Sequence, residues 1–270
     1  LDRNFCLGIN RLFFHVNTHN PWLDKKPGMT LDGIGLFFQR DQTWFTEAKG
    51  FVDYITRCQS YLQTGLPVVD IAVYTGEEMP RRAFTPDRLV PMLPGIFGQE
   101  RVAAEKARLA NIGQPMEESP VGVRHSANIL NLKDWINPLH GYQYDSMNKD
   151  GLSRWLSKLF DPATYDMPGY RVLVVPQNVK VSSETQAKID SLKYYGITVI
   201  TEPYKEQTLP GLSPDVILPE GIAYTHRKSG KRHCYFLSNQ TDSARTFQAK
   251  FRIGSRVTEL INPTSPAPSL

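Results

Sequence analysis

Two histidines, two asparagines and a tryptophan fall within eight residues, His15-Val-Asn17-Thr-His19-Asn-Pro21-Trp22. An indole beside imidazole and amide groups suits a sugar. The ring face covers the apolar C–H patch of a pyranose, and the polar groups bind its hydroxyls. The same residues also allow a plainer role, with Trp22 in an ordinary core and His15 a hydrogen-bonded buried histidine. The four-residue step from His15 to His19 would hold a metal only on a helix, and Pro21 argues against a helix here.

A second candidate is the pair Glu77 and Glu78, which follows the apolar run Val68 to Tyr74. Carboxylates at strand ends act as acids, bases or hydroxyl ligands, and they also start helices or sit in water. Adjacent residues of a strand point apart. The pair therefore cannot supply both carboxyls of glycoside hydrolysis, which lie on opposite sides of the scissile bond, roughly 5–10 Å apart. A third candidate is Gly141-Tyr142-Gln-Tyr144-Asp145-Ser-Met-Asn148-Lys-Asp150. Asp145, Asn148 and Asp150 suit a cation or sugar hydroxyls, and Asn148 or Asp150 equally suits the cap of the helix that follows.

Familiar nucleophile and phosphate patterns are missing. There is no GxSxG, no HExxH and no Walker A sequence; Arg227-Lys-Ser-Gly-Lys-Arg232 lacks the first glycine and sits in a hairpin turn. Cys6, Cys58 and Cys234 are widely spaced, without CxxC or zinc spacing, and read as small buried hydrophobes. No metal site is expected from these spacings. Asn239-Gln-Thr241 matches a glycosylation sequon.

The elements that must position these residues follow from periodicity. Ile9 to Val16 reads as a buried strand, and a long segment from Asn17 to Gln42 follows it. If that strand belongs to a barrel, His19 and Trp22 sit just past its C-terminal end, the rim where barrel enzymes keep their sites. Phe45, Ala48, Val52, Ile55, Cys58 and Leu62 recur at three- and four-residue steps, which predicts a helix over Thr43 to Thr64 closed by Gly65. Val68 to Tyr74 reads as a central parallel strand. Helices are expected over Gln99 to Asn111 and Asp150 to Phe160.

Tyr170 to Pro176, a helix capped by Ser182 or Ser183, and Ile197 to Ile200 form a βαβ unit and hence a parallel sheet. Neither strand is followed by GxGxxG, so no dinucleotide site is expected. Ile222 to His226, His233 to Asn239 and Thr246 to Ile253 read as an antiparallel meander, and Asn262 to Leu270 as a frayed tail.

With 270 residues, 40% of them apolar, the chain can bury one large core or two modest ones. No apolar run approaches the roughly 20 residues of a membrane helix. A net charge of +4 without clustered basic residues gives no nucleic-acid face. The chain opens at Leu1 without a methionine or signal peptide, and reads as one entered partway through a domain.

The run INRLFFHVNTHNPWLDKKPGMTLDGIGLFFQRDQTWF, followed by DYITRCQSYLQTGLPVVDIAVYTGEEMP, resembles a hallmark stretch of glycoside hydrolase family 106, the α-L-rhamnosidase family. GYQYDSMNKDGL, YRVLVVP and THRKSGKRHCYFLSNQ continue the resemblance in order. It implies an inverting hydrolysis assisted by two glutamates, a calcium requirement, an oligo- or polysaccharide substrate of plant origin, and a periplasmic or secreted location. It also implies a fold. Residues 1–65 would be the last strand and helix of a (β/α)8 catalytic barrel, 66–215 a flavodoxin-like α/β domain, 216–262 an antiparallel β segment and 263–270 a tail.

The expected fold class is accordingly α/β, a parallel sheet with flanking helices between a barrel remnant and a β segment. By the resemblance the catalytic glutamates lie on barrel strands upstream, so no acid or base maps onto this chain. His15, His19 and Trp22 carry over as site-lining residues, with Glu77 and Asp145 as further substrate-binding candidates. An upstream barrel segment or a second copy is the expected partner. The other reading is a non-catalytic carbohydrate-binding or assembly module.

Overall fold

A computed structural model of the chain describes residues 1–15, 17, 19–25, 38–78, 83–110, 139–163, 167–254 and 257–265. Its elements in chain order begin with α1 (Asp2–Cys6), α2 (Ala48–Leu62), β1 (Leu66–Pro67), β2 (Ile71–Tyr74), α3 (Pro86–Leu89), α4 (Pro94–Phe97) and α5 (Gln99–Ala110). Then follow β3 (Tyr144–Met147), α6 (Lys149–Phe160), β4 (Val172–Val174), α7 (Ser183–Tyr194) and β5 (Thr198–Ile200). The chain closes with β6 (Val216–Ile217), β7 (Ile222–Ser229), β8 (Arg232–Asn239) and β9 (Lys250–Phe251).

The parallel sheet has the order β3-β2-β4-β5. All four residues of β2 and all three of β4 are buried, as strands covered on both faces must be. Alternation sends Ile71, Val73, Val172 and Val174 into one core with Phe84, Leu89, Leu93 and Ile96. It sends Ala72, Tyr74 and Leu173 into the other with Leu152, Trp155, Ile189 and Leu192. The step from β2 to β3 runs opposite to the steps from β3 to β4 and from β4 to β5. Right-handed crossovers therefore put α3–α5 on one face and α6 and α7 on the other.

The caps explain where the helices start. The Asn148 side chain accepts from Gly151 N at 2.9 Å to open α6, and Ser182 Oγ accepts from Thr185 N at 3.2 Å to open α7.

Three expectations need correction. Residues 9–15 form no strand: they run as irregular chain, with Ile9 and Phe14 exposed and Phe13 87% exposed. Among the described residues no strand lies beside them, and a strand exists only through a partner's backbone groups. Phe14 packs instead on Phe38 and Phe51. Val16, residues 26–37 of the long segment after it, residues 111–138 and residues 266–270 of the tail lie outside the described residues.

Second, α2 begins at Ala48 rather than Thr43. Phe45, counted in the apolar stripe, is exposed, so the expected helical stripe is not buried in that first turn, where Trp44 packs on Phe38 instead.

Third, the meander is only a two-stranded hairpin, β7–β8. Its third neighbour is β1, paired antiparallel with β7, while β9 pairs with β6. Gly65 stands at the junction of α2 and β1 with φ +67°, and a Cβ there would lie 2.2 Å from the Lys228 carbonyl oxygen. No other residue fits without moving the hairpin. The hairpin also carries α1 and α2: Phe236 packs edge-on against Phe5 beside Ile55, Cys58 and Leu62.

Candidate functional site

Parallel α/β sheets bind ligands at the C-terminal ends of their strands, and the five groups singled out in the sequence divide around that edge. Glu77 follows β2 directly. Its Oε1 accepts the Ser182 backbone N–H at 2.9 Å, at the N-terminus of α7. Interactions with Thr185 and Ser182 outweigh the opposing effect of burial, and the Glu77 pKa falls from 4.5 to about 2. The chain's own carboxylate thus sits beside the switch point between β2 and β4, where the strand order reverses. Glu77 takes the place an anionic ligand would occupy on that helix end. Glu78 beside it is exposed.

Asp145 lies within β3. Burial raises its pKa, and the Tyr170 hydroxyl, which donates to Oδ2 at 2.9 Å, opposes that rise. Tyr170 also lines an open cleft of about 530 Å³ past β2 and β3, with Thr75, Ser146, Asn148, Asp150 and Arg154. Hydroxyl, amide, carboxylate and guanidinium groups lining one cleft suit polyol hydroxyls. Most of them are already engaged: Tyr170 donates to Asp145, and the Thr75 hydroxyl donates to the Met147 carbonyl at 3.1 Å. Asn148 caps α6, and Ser146 Oγ accepts from Phe84 N at 2.7 Å.

His15, His19 and Trp22 are exposed on the irregular N-terminal segment. Lys25 sits over the Trp22 ring at 4.9 Å, and Asn20 reaches Asp41 through its side chain and accepts from Arg40 at 3.1 Å through its carbonyl. The hydrogen bonds of Glu77 and Asp145, in contrast, run within the parallel-sheet layer. The candidates therefore form two groups, a solvent-facing one at the N-terminus and an internally bonded one at the sheet edge.

Residues 1–111 match the family model of glycoside hydrolase family 106, the α-L-rhamnosidases. This α-L-rhamnosidase match contains His15, His19, Trp22 and Glu77 but not Asp145. A curated protein of Formosa agariphila named "putative beta-glucuronidase" is 29% identical over 96% of this chain. A solved rhamnosidase from Novosphingobium sp. PP1Y shares the fold over 93% of the chain, with 23% identity and a TM-score of 0.55. The chain spans about a fifth of the Formosa protein (21%) and 24% of the Novosphingobium one. It is glycoside-hydrolase-like, and it corresponds to a fraction of those longer proteins.

The calcium that the rhamnosidase resemblance implies finds no matching donor set among the described residues. No group of three or more His, Cys, Asp or Glu side chains is placed there to share a metal. The nearest oxygen donors in the third candidate stretch, Asp145 and Asn148, serve Tyr170 and the α6 cap. Among the described residues no helix is long and apolar enough to cross a membrane.

One cluster has no motif in the sequence. Asp70, Asp215, His226, His233, Tyr235 and Arg252 meet where the hairpin docks beside the parallel sheet, although 182 positions separate its ends. The one signal was His226 and His233 on paired strands, diagonal neighbours two residues off register, legible only once the hairpin turn at Gly230 is placed.

Proposed function

We propose that this chain is part of a glycoside hydrolase that removes terminal α-L-rhamnosyl residues from plant oligo- or polysaccharides outside the cytoplasm. The observation that carries this reading is the α-L-rhamnosidase match over residues 1–111, with His15, His19 and Trp22 exposed inside it. Trp22 then offers a ring face to the sugar, and His15 and His19 bind its hydroxyls. The acid and base of the inverting reaction come from a barrel segment that packs over the exposed N-terminal aromatics. Phe13, Leu23 and Phe45 supply the apolar surface for that contact.

The test is turnover of aryl α-L-rhamnoside and aryl β-glucuronide by the chain alone and joined to a barrel segment of the family. Rhamnoside release by the joined protein supports the reading, and glucuronide release alone redirects it to the activity in the Formosa protein's name.

A non-catalytic carbohydrate-binding or assembly module is the second reading. It is favoured by the engagement of Glu77 and Asp145 as a helix cap and a tyrosine partner. Binding of rhamnosides without turnover in either form would select it.

A further inference from the structure

The stretch from Tyr144 to Asp150 carries polar groups that the proposed rhamnoside site at His15, His19 and Trp22 does not use. It runs from β3 into α6, and both elements line the open cleft of about 530 Å³, together with Thr75 after β2 and Tyr170 before β4. That volume lies within the range of small-molecule sites. The lining is fixed before any ligand arrives. Thr75 and Tyr170 are each 7% exposed. The Thr75 hydroxyl donates to the Met147 carbonyl at 3.1 Å, and the Tyr170 hydroxyl donates to Asp145 Oδ2 at 2.9 Å. The Tyr170 ring packs edge-on against Trp155 at 5.2 Å.

These bonds decide what the lining can still take. A hydroxyl has a single hydrogen, so Thr75 and Tyr170 have spent theirs and keep acceptor lone pairs. Ser146 is the reverse: its oxygen takes the Phe84 N–H at 2.7 Å, and its own hydrogen remains to donate. Asp150 adds an acceptor carboxylate, and Arg154, one turn along α6, a donor guanidinium. Ala83, Met147 and Met167 supply apolar surface. A ligand that fits must both give and take hydrogen bonds and also cover an apolar patch. Sugar hydroxyls do the first, and the C–H face of a pyranose does the second.

Charge narrows the class. The N-terminus of a helix attracts an anion, but Asp150 in the first turn of α6 already supplies one, as Glu77 does at α7. Arg154, four residues on, lies on the same helix face and offsets the Asp150 charge. An anionic sugar or a phosphate meets the Asp150 carboxylate, and an ammonium group meets Arg154. An uncharged sugar meets neither repulsion.

We propose that this cleft is a second saccharide-binding site, for an uncharged pyranoside, in which Thr75, Asp150 and Tyr170 accept from sugar hydroxyls and Ser146 and Arg154 donate to them. Among the described residues that line it, Asp150 carries the one carboxylate. The cleft therefore binds rather than hydrolyses, since glycoside hydrolysis takes a pair. It shares no residue with His15, His19 and Trp22, and it holds sugar whether or not the longer protein cleaves rhamnosides.

The experiment is amide-shift mapping by NMR on the 270-residue chain. The chain is titrated with methyl α-L-rhamnoside, methyl β-D-glucoside and methyl β-D-galactoside, and separately with glucuronate and inorganic phosphate. The site predicts that at least one neutral glycoside shifts the Thr75, Ser146, Asp150 and Gly151 amides with millimolar affinity, and binds there more tightly than either anion. Asp150→Leu, at an exposed position, should lower that affinity about tenfold through loss of a charged acceptor. No shift at these amides with any of the neutral glycosides overturns the site. Tighter binding of glucuronate or phosphate there overturns it too, as does an unchanged affinity in Asp150→Leu. Shifts confined to His19 and Trp22 overturn the second site and leave the rhamnoside reading in place.

Discussion

Ile9 to His15 and Val69 to Tyr74 are two apolar-rich runs of similar length, and the molecule treats them in opposite ways. Ile71 to Tyr74 is fully buried between two strands and two helix layers. Ile9 to His15 forms no ladder and leaves Phe13 almost bare. Composition does not separate them. Neighbours do: the sheet strand finds strand partners within the chain on both sides, and the N-terminal run, whose Phe14 packs on Phe38 and Phe51, finds no strand partner among the described residues. The contrast extends to polar groups, since Glu77 and Asp145 are bonded within the sheet layer while His15, His19 and Trp22 face solvent.

The largest expected effect sharpens this contrast directly. Trp155→Ala empties the core behind the sheet, where the indole is 1% exposed, and should cost about 3–5 kcal/mol in urea unfolding. Phe13→Ala should change stability by less than about 0.5 kcal/mol in the same assay. Similar costs for the two would mean that Phe13 is packed after all.

A smaller effect is expected where Arg252 meets Asp70 and Asp215. Arg252→Met leaves Asp70 and Asp215 buried without their cation and should cost about 3 kcal/mol by the same measurement. A smaller cost than at Arg252 belongs to Glu77→Gln, which weakens a half-exposed helix cap by about 1 kcal/mol. The Glu77 pKa is depressed in the fold, so its contribution is present above about pH 4.5 and fades as pH falls toward 2. An acid titration of helicity should show the natural chain and Glu77→Gln converging over that window.

Much of the sheet layer was legible because its signals are local. β2, β4 and β5 are short apolar runs, Asn148 and Ser182 are polar caps before amphipathic stretches, and Gly196 follows α7 with φ +81°. The misreadings share a cause. Phe45 and Ile9 to His15 carry the apolar pattern of buried elements, but burial requires a neighbour that periodicity does not report. The role of Glu77 was hidden for a related reason, since its partner Ser182 lies 105 positions away. The contact between His226 and His233 depends on a strand register that only the fold supplies.

The contrast between the two regions also divides the candidate site, and one measurement tests that division. It is hydrolysis of an aryl α-L-rhamnoside by the chain joined to a family barrel segment, comparing Trp22→Ala with Glu77→Gln. The account predicts that Trp22→Ala lowers kcat/KM about tenfold or more, through loss of stacking worth on the order of 1 kcal/mol together with the ring's buried area, while Glu77→Gln leaves it unchanged. Loss of activity in Glu77→Gln with Trp22→Ala unaffected would contradict it and move the functional residues to the sheet edge.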